Sequence, residues 1–184
     1  LVNHNILLEK LDIYLCNTDS VSFLKSYLTN RTQRVLLNGI YSSAGVLRHG
    51  VPQGSVLGPL LFCLYINDLP LHLSSDMVAC DMFADDATLH TPDKNISIVS
   101  TRLQQSLKDV SRLCKNNKMV PNPSKTECMA ITTRQKHQLG PLPLGLSLDG
   151  VTIHQVEQHR LLGLVVDNQF QWKYHINYIC KKIS

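Results

Sequence analysis

Several things are missing from this chain of 184 residues, and each absence excludes a class of protein. No apolar run is long enough to cross a membrane as a helix: the longest, VLGPLLFCLYI (Val56–Ile66), falls short of the roughly 20 residues a bilayer requires. No CxxC pair or dense cysteine framework occurs. Cys16, Cys63, Cys80, Cys114, Cys128 and Cys180 are scattered, as expected of free thiols in a reducing compartment. His154, His159, His175 and Cys180 are spaced too loosely, with no close cysteine pair, to read as a zinc motif. There is no initial Met and no charged-then-apolar leader. The chain opens on LVNHNILLEK, within an apparent helix, so we expect no secretory signal and a piece of something longer. Repeats and low-complexity tracts are also lacking. What remains, 43% hydrophobic and 17% charged, suits one globular domain or one and a half.

The net charge of +4 hides an asymmetry. Residues 1–92 carry five Lys/Arg against eight Asp/Glu, or −3, whereas residues 93–184 carry thirteen against six, or +7. An acidic half followed by a basic half suits a cation-dependent enzyme that handles a polyanion, and equally a solvated basic face.

Periodicity places the elements. Apolar residues at 7, 8, 11, 14 and 15 predict a helix over Asn5–Leu15 capped by Asn5. Those at 21, 24, 27 and 28 predict a second over Asp19–Leu28, capped by Asp19 or Ser20. TQRVLLNGIYSSAGVLRHG reads as a hairpin turning near Asn38-Gly39. An apolar helix then ends before Pro70. Ile96, Val99, Leu103, Leu107, Val110 and Cys114 mark the clearest helix, within Asn95–Met119. Beyond it we expect a strand in Thr126–Thr133, a Gly/Pro-rich connection over Gln135–Leu146, a hairpin at Asp149-Gly150, a strand in HRLLGLVVD and a terminal helix in WKYHINYICKKI. Helices mixed with mainly antiparallel hairpins give an α+β fold.

DMFADDATLH (Asp81–His90) sets Asp85 and Asp86 side by side between two β-compatible runs. Adjacent like charges repel unless a cation or water screens them, so the pair is expected at the tip of a hairpin. On its own it reads as a polar turn.

Three blocks in order change that reading. GVPQGSVLGPLLFCLYINDLP (Gly50–Pro70), FADD (Phe83–Asp86) and NKMVPNPSKTECM (Asn117–Met129) resemble the reverse transcriptases of non-LTR, LINE-like retrotransposons. HRLLGLVVDNQFQWKYHI (His159–Ile176) is similar to that family's passage from palm to thumb. The resemblance implies a polymerase palm over residues 1–134, an antiparallel sheet backed by helices, and a palm-to-thumb connection over 135–184. It implies that Asp85 and Asp86 are catalytic ligands of two Mg²⁺ (or Mn²⁺) ions, with Asp85 the stronger ligand because alternate residues of an extended segment face opposite ways. Pro52, Gln53, Gly54, Phe83 and Ala84 would lie against the incoming nucleotide and template, with Gly58 and Pro59 structural. Lys125 would meet the triphosphate, although it also reads as a solvated surface lysine. Leu162-Gly163 would support the primer end, or be a plain strand with a glycine. Trp172 reads as helix start or core rather than a stacking platform. RNA template, DNA primer and dNTPs are the implied partners, with no membrane, in the nucleus and cytoplasm of a cell.

A site of this kind needs a third aspartate, carried in the family by a D-x-x-x-A-F-D-type strand just ahead of a segment like LVNHNILLEKL. No carboxylate present, Asp12, Asp19 and Asp68 included, has the context to substitute. We therefore expect the 184 residues alone not to polymerise DNA. A non-catalytic remnant that binds nucleic acid or protein is the alternative from another class. Group II intron maturases and telomerase-like polymerases share the palm, but PQGSVLGPLLF and NPSKT resemble the retrotransposon branch.

Overall fold

A computed structural model describes residues 2–15, 17–138 and 140–183. Cys16, one of the expected free thiols, lies outside the described residues, while Cys63, Cys80, Cys114, Cys128 and Cys180 are unbridged. The chain forms two compact units.

The first unit comprises Leu1–Leu73, Cys80–Thr88 and Arg112–Val120. It opens with α1 (His4–Leu15) and α2 (Thr18–Leu28). Each is capped two or three residues earlier than the sequence suggests. Asn3 Oδ1 accepts the Ile6 N–H at 3.2 Å, and Asn17 Oδ1 accepts those of Asp19 and Ser20 at 2.9 and 3.4 Å. A capping side chain must stand outside the first turn to reach an N–H two or three residues on, which Asn5, Asp19 and Ser20, already helical, cannot do. Two ladders follow. β1 (Thr32–Gln33) pairs antiparallel with β4 (Gly45–Val46), and between them β2 (Leu36–Leu37) pairs with β3 (Ile40–Tyr41) around Asn38-Gly39. Both turn residues have positive φ, the combination a two-residue turn of this hand requires.

α3 (Leu57–Ile66) supplies the centre of the first core. Leu61, Tyr65 and Ile66 pack with Val2, Leu7, Leu11 and Leu28, and burying each of these leucines stabilises the unit by about 1.5–3 kcal/mol. Tyr65 is fully buried, and its hydroxyl donates to the Asn117 carbonyl and accepts the Asn3 N–H at 3.3 Å. Burial raises its pKa, so it stays a donor. Lys10 closes the base of the unit, donating to Tyr65 O and Asp68 Oδ1, each at 2.7 Å. Tyr65→Phe keeps the ring and strands the Asn3 N–H and Asn117 carbonyl. It should cost about 1–3 kcal/mol, read as a fall in the urea midpoint with an unchanged slope.

β5 (Ala79–Phe83) and β6 (Asp86–His90) pair as a hairpin joined by Ala84-Asp85. α4 (Ile96–Asn116) belongs to the second unit through Ser111 and to the first from Arg112. Asn95 Oδ1 caps it on the Ser97 N–H, and Lys118, at φ +51, ends it.

The second unit comprises Ser74–Ala79, Leu89–Ser111 and Pro121–Ser184. Leu107 packs with Leu144, Leu146, Leu148 and Ile153, flanked by Ile96, Val99 and Leu103, so the first four positions of the stripe read from sequence face this core. The Gly/Pro-rich segment is held by Gln155, whose Nε2 donates to Leu142 O at 3.0 Å and whose Oε1 accepts the Leu144 N–H at 2.9 Å. Just past it, Gln104 Nε2 donates to Ser147 O and Gln104 Oε1 accepts the Ser147 N–H, both at 2.9 Å. The strand expected in Thr126–Thr133 shrinks to β7 (Glu127–Cys128). A single turn, α5 (Arg134–His137), follows, and then the hairpin of β8 (Ser147–Leu148) and β9 (Val151–Thr152) about Asp149-Gly150. β7 pairs parallel with β10 (His154–Gln155). HRLLGLVVD is two strands, not one: β11 (Gln158–Leu161) and β12 (Leu164–Asp167) pair antiparallel, because Leu162 and Gly163 take φ of +46 and +91 and reverse the chain. α6 (Lys173–Ile183) completes the chain and packs on β12.

The fold is α+β, with small and mainly antiparallel ladders. Among the described residues no ladder exceeds two strands, where the family resemblance implies a small antiparallel sheet backed by helices. Most strands are two residues long, well below the roughly five or six that are usual. No helix among the described residues is long and apolar enough to cross a membrane.

Candidate active site

The FADD segment is built by alternation followed by a forced turn. Along β5, Cys80 and Met82 turn inward while Asp81 and Phe83 turn outward, and Met82 packs on the first core. Phe83 is 64% exposed. Ala84 then takes φ +52, a left-handed conformation that costs an alanine about 1–2 kcal/mol and is held here by the strands either side. Asp85 completes the turn and Asp86 opens β6. Alternation along an extended strand therefore does not rank Asp85 over Asp86, because Asp85 lies in the turn. Both side chains are exposed at the apex, and neither carboxylate has a hydrogen bond or ion pair among the described residues.

Two adjacent, exposed and unpaired carboxylates are the hard oxygen donors that Mg²⁺ and Mn²⁺ take. The donor chemistry fits, but the ligand count is partial: among the described residues no group of three His, Cys, Asp or Glu side chains is placed to hold a metal. Two of the loosely spaced histidines are engaged elsewhere. His159 Nδ1 lies 2.7 Å from Glu127 Oε2, and His175 Nδ1 accepts the Val165 N–H at 3.3 Å.

The Pro52-Gln53-Gly54 loop belongs to the same unit and is fixed at both ends. Before it, the Gly50 N–H donates to Val2 O at 2.7 Å, and His4 Nε2 meets Gly50 O at 2.7 Å. After it, Ser55 Oγ donates to Pro52 O at 2.7 Å and accepts the Gly58 N–H at 3.0 Å, stapling the loop to the start of α3. Val51 and Leu57 pack on the first core, the one that holds Met82. Gln53 and Gly54 are exposed, and Gly54 has φ +74. Gly58 is structural, as the sequence suggests: a Cβ there would stand 2.8 Å from Pro52 O and 3.1 Å from Ser55 Oγ. Gly58→Ala should displace the loop and cost about 1–3 kcal/mol, seen as a lower thermal midpoint.

Lys125, Leu162 and Gly163 belong to the second unit. Lys125 ends a 3₁₀ turn, Pro123–Lys125, that Asn122 caps by accepting from Ser124 N and Oγ at 3.1 and 2.7 Å. Its ammonium is exposed and unpaired among the described residues. Leu162-Gly163 forms the exposed tip of the β11–β12 hairpin, and Leu162 is 56% exposed. Trp172, at φ +60, stands just before α6 and accepts the Ile176 N–H on its carbonyl, a helix-start position.

Sequence reasoning passed over Asp167. Its carboxylate is 4% exposed and gathers the N–H groups of Gln169, Gln171 and Trp172 at 3.0–3.1 Å. Desolvation pushes its pKa up, but the N–H bonds from Gln171, Gln169 and Trp172 outweigh it and hold the carboxyl below its ordinary value. An Asp followed by a short polar run before a helix is the one sequence signal for such a turn.

Comparison with known proteins identifies relatives. The sequence profile of "Reverse transcriptase (RNA-dependent DNA polymerase)" matches residues 1–166, which include the Gly50–Pro70, Phe83–Asp86 and Asn117–Met129 blocks and Leu162-Gly163. The chain is 34% identical over 160 residues to a "Probable RNA-directed DNA polymerase from transposon BS" of Drosophila melanogaster, across 83% of this chain and 17% of that protein. It is 32% identical over 161 residues to the "RNA-directed DNA polymerase from mobile element jockey" of the same species, across 85% and 17%. A "Probable RNA-directed DNA polymerase from transposon X-element", also from Drosophila melanogaster, is 28% identical over 157 residues, across 83% and 16%. The chain thus spans about a sixth of the length of these relatives. On motif order and on a profile match covering most of its length, the chain belongs to the reverse transcriptase family.

Proposed function

We propose that this chain is the palm (1–134) and palm-to-thumb connection (135–184) of a retrotransposon RNA-directed DNA polymerase, which adds dNTPs to a DNA primer along an RNA template. The observation that carries this reading is the apex of the β5–β6 hairpin. Two exposed carboxylates without partners stand on the same core that anchors the Pro52-Gln53-Gly54 loop. Asp85 and Asp86 would hold Mg²⁺ or Mn²⁺. Bound there, two such ions supply the charge that activates a primer 3′-oxygen and steadies departing pyrophosphate. Gln53 can present a donor and an acceptor to a base, and Gly54 lets a nucleotide approach the backbone closely. Phe83 and Ala84, exposed next to the carboxylates, would offer apolar contact to the nucleotide and template. The Lys125 ammonium can neutralise a triphosphate or give it a proton. The exposed Leu162-Gly163 tip is suited to support a primer end. The relatives are named as RNA-directed DNA polymerases of transposons and mobile elements, in keeping with an RNA template and a DNA product, and nucleus and cytoplasm are the compartments such an enzyme would use.

With two carboxylates and no third ligand among the described residues, the 184-residue chain should not extend a primer by itself. The test is incorporation of labelled dNTP on an RNA-templated DNA primer with Mg²⁺ or Mn²⁺: no product is expected, and template-dependent extension would overturn that expectation. The same short ligand set favours a second reading, a non-catalytic remnant that binds nucleic acid. Translation of the DNA upstream separates the two, since an intact D-x-x-x-A-F-D strand in frame supports the enzyme.

A further inference from the structure

Between Asp19 and Asp68 the chain has no acidic residue, while Lys25, Arg31, Arg34 and Arg48 all fall in that interval. The rest of residues 1–92 sets Lys10 alone against eight carboxylates, so the acidic half contains a wholly cationic insert. The insert centres on the paired ladders β1–β4 and β2–β3, where every residue from 31 to 46 is exposed. Arg31 is occupied: it lies 4.9 Å over the Tyr27 ring and donates to the Tyr27 carbonyl. Arg34 and Arg48 have no partner among the described residues, and they stand beyond opposite ends of the β1–β4 ladder. Around the Asn38-Gly39 turn, Leu37, Ile40 and Tyr41 are 70%, 75% and 63% exposed.

We infer that this double hairpin is a contact site for a single-stranded nucleic acid, with Arg34 and Arg48 on phosphates and Tyr41, Leu37 and Ile40 against base faces. An insert without acids offers no repulsion to a polyanion and none of the carboxylates that would discriminate among protein partners. Exposed apolar side chains suit unpaired bases, whose faces a duplex keeps stacked inside. That the strand is the RNA template rests on the polymerase reading above; the binding itself does not.

Fluorescence anisotropy tests it, using the 184-residue chain in EDTA with a labelled single-stranded RNA of ~16 nucleotides over a NaCl series. Arg34→Gln/Arg48→Gln should lower the slope of log K against log[salt] by about 1.4, two phosphate contacts at about 0.7 each on a single strand. Tyr41→Ala should weaken the single strand about fivefold or more and leave an RNA–DNA hybrid duplex nearly unaffected. Circular dichroism checks that each variant is folded. An unchanged slope overturns the inference, as does an equal loss in Lys94→Gln/Lys108→Gln, which removes two charges elsewhere. Altered self-association with RNA binding intact would assign the hairpins to protein contact and overturn it too. Asp85→Asn/Asp86→Asn should bind RNA normally in EDTA, so failure of the carboxylate reading and failure of this one give different results.

Discussion

On the proposed reading, Asp85→Asn in a full-length polymerase carrying this segment should lower nucleotide addition about a thousandfold or more, and Asp86→Asn should do the same. A thousandfold corresponds to about 4 kcal/mol of lost transition-state stabilisation, within what removal of a charged catalytic group produces. Asparagine keeps the shape of the side chain and removes its charge, so the change isolates the capacity to hold a cation. The fold gives a clean control. Both side chains are exposed and make no hydrogen bond or ion pair among the described residues, so unfolding free energy should move by less than about 0.5 kcal/mol. Primer-extension rates and thermal unfolding of the same variants should therefore part company. A variant that loses activity and stability together would instead make the pair structural, and one that keeps both would remove it from the chemistry.

The largest effect on stability is expected at Asp167. Alanine there leaves the N–H groups of Gln169, Gln171 and Trp172 without the buried carboxylate that gathers them at the end of β12, and should cost about 2–4 kcal/mol. The effect carries a pH signature. The folded carboxyl has its pKa lowered from the ordinary value, so its stabilisation is complete above the unfolded value, near 3.9, and is lost as pH falls through the lower folded value. Urea unfolding should show the wild type well above Asp167→Ala at about pH 6, with the gap closing in stronger acid. A gap independent of pH would mean that packing, rather than the charged acceptor, holds the turn before α6.

Much of this architecture was legible, for identifiable reasons. α4 reads clearly because Ile96, Val99, Leu103 and Leu107 repeat at helical steps and face one core. Asn38-Gly39 and Asp149-Gly150 announce their turns because those residue types tolerate positive φ. Leu162-Gly163 makes the same kind of turn without the signal, since leucine at φ +46 is disfavoured and only the pairing of Gln158–Leu161 with Leu164–Asp167 imposes it. Exposure around Val35–Tyr41 was hidden for another reason: alternation along a strand looks alike whether a face is covered or bare. The carboxylate apex could be located from its flanking β-compatible runs, whereas its chemistry came from resemblance to the family and not from spacing. Asp167 escaped notice because its role depends on where three backbone N–H groups point, and no composition or period records that.

Amide NMR with a Mn²⁺ titration tests the central claim most directly, because bound Mn²⁺ broadens the signals of nearby nuclei whether or not the chain has activity. Broadening should begin at the 83–87 apex, ahead of the other carboxylates, and disappear from it in Asp85→Asn/Asp86→Asn. Signals at that apex that stay sharp, or broadening that persists in the double variant, would contradict the assignment of these two side chains as holders of divalent cations.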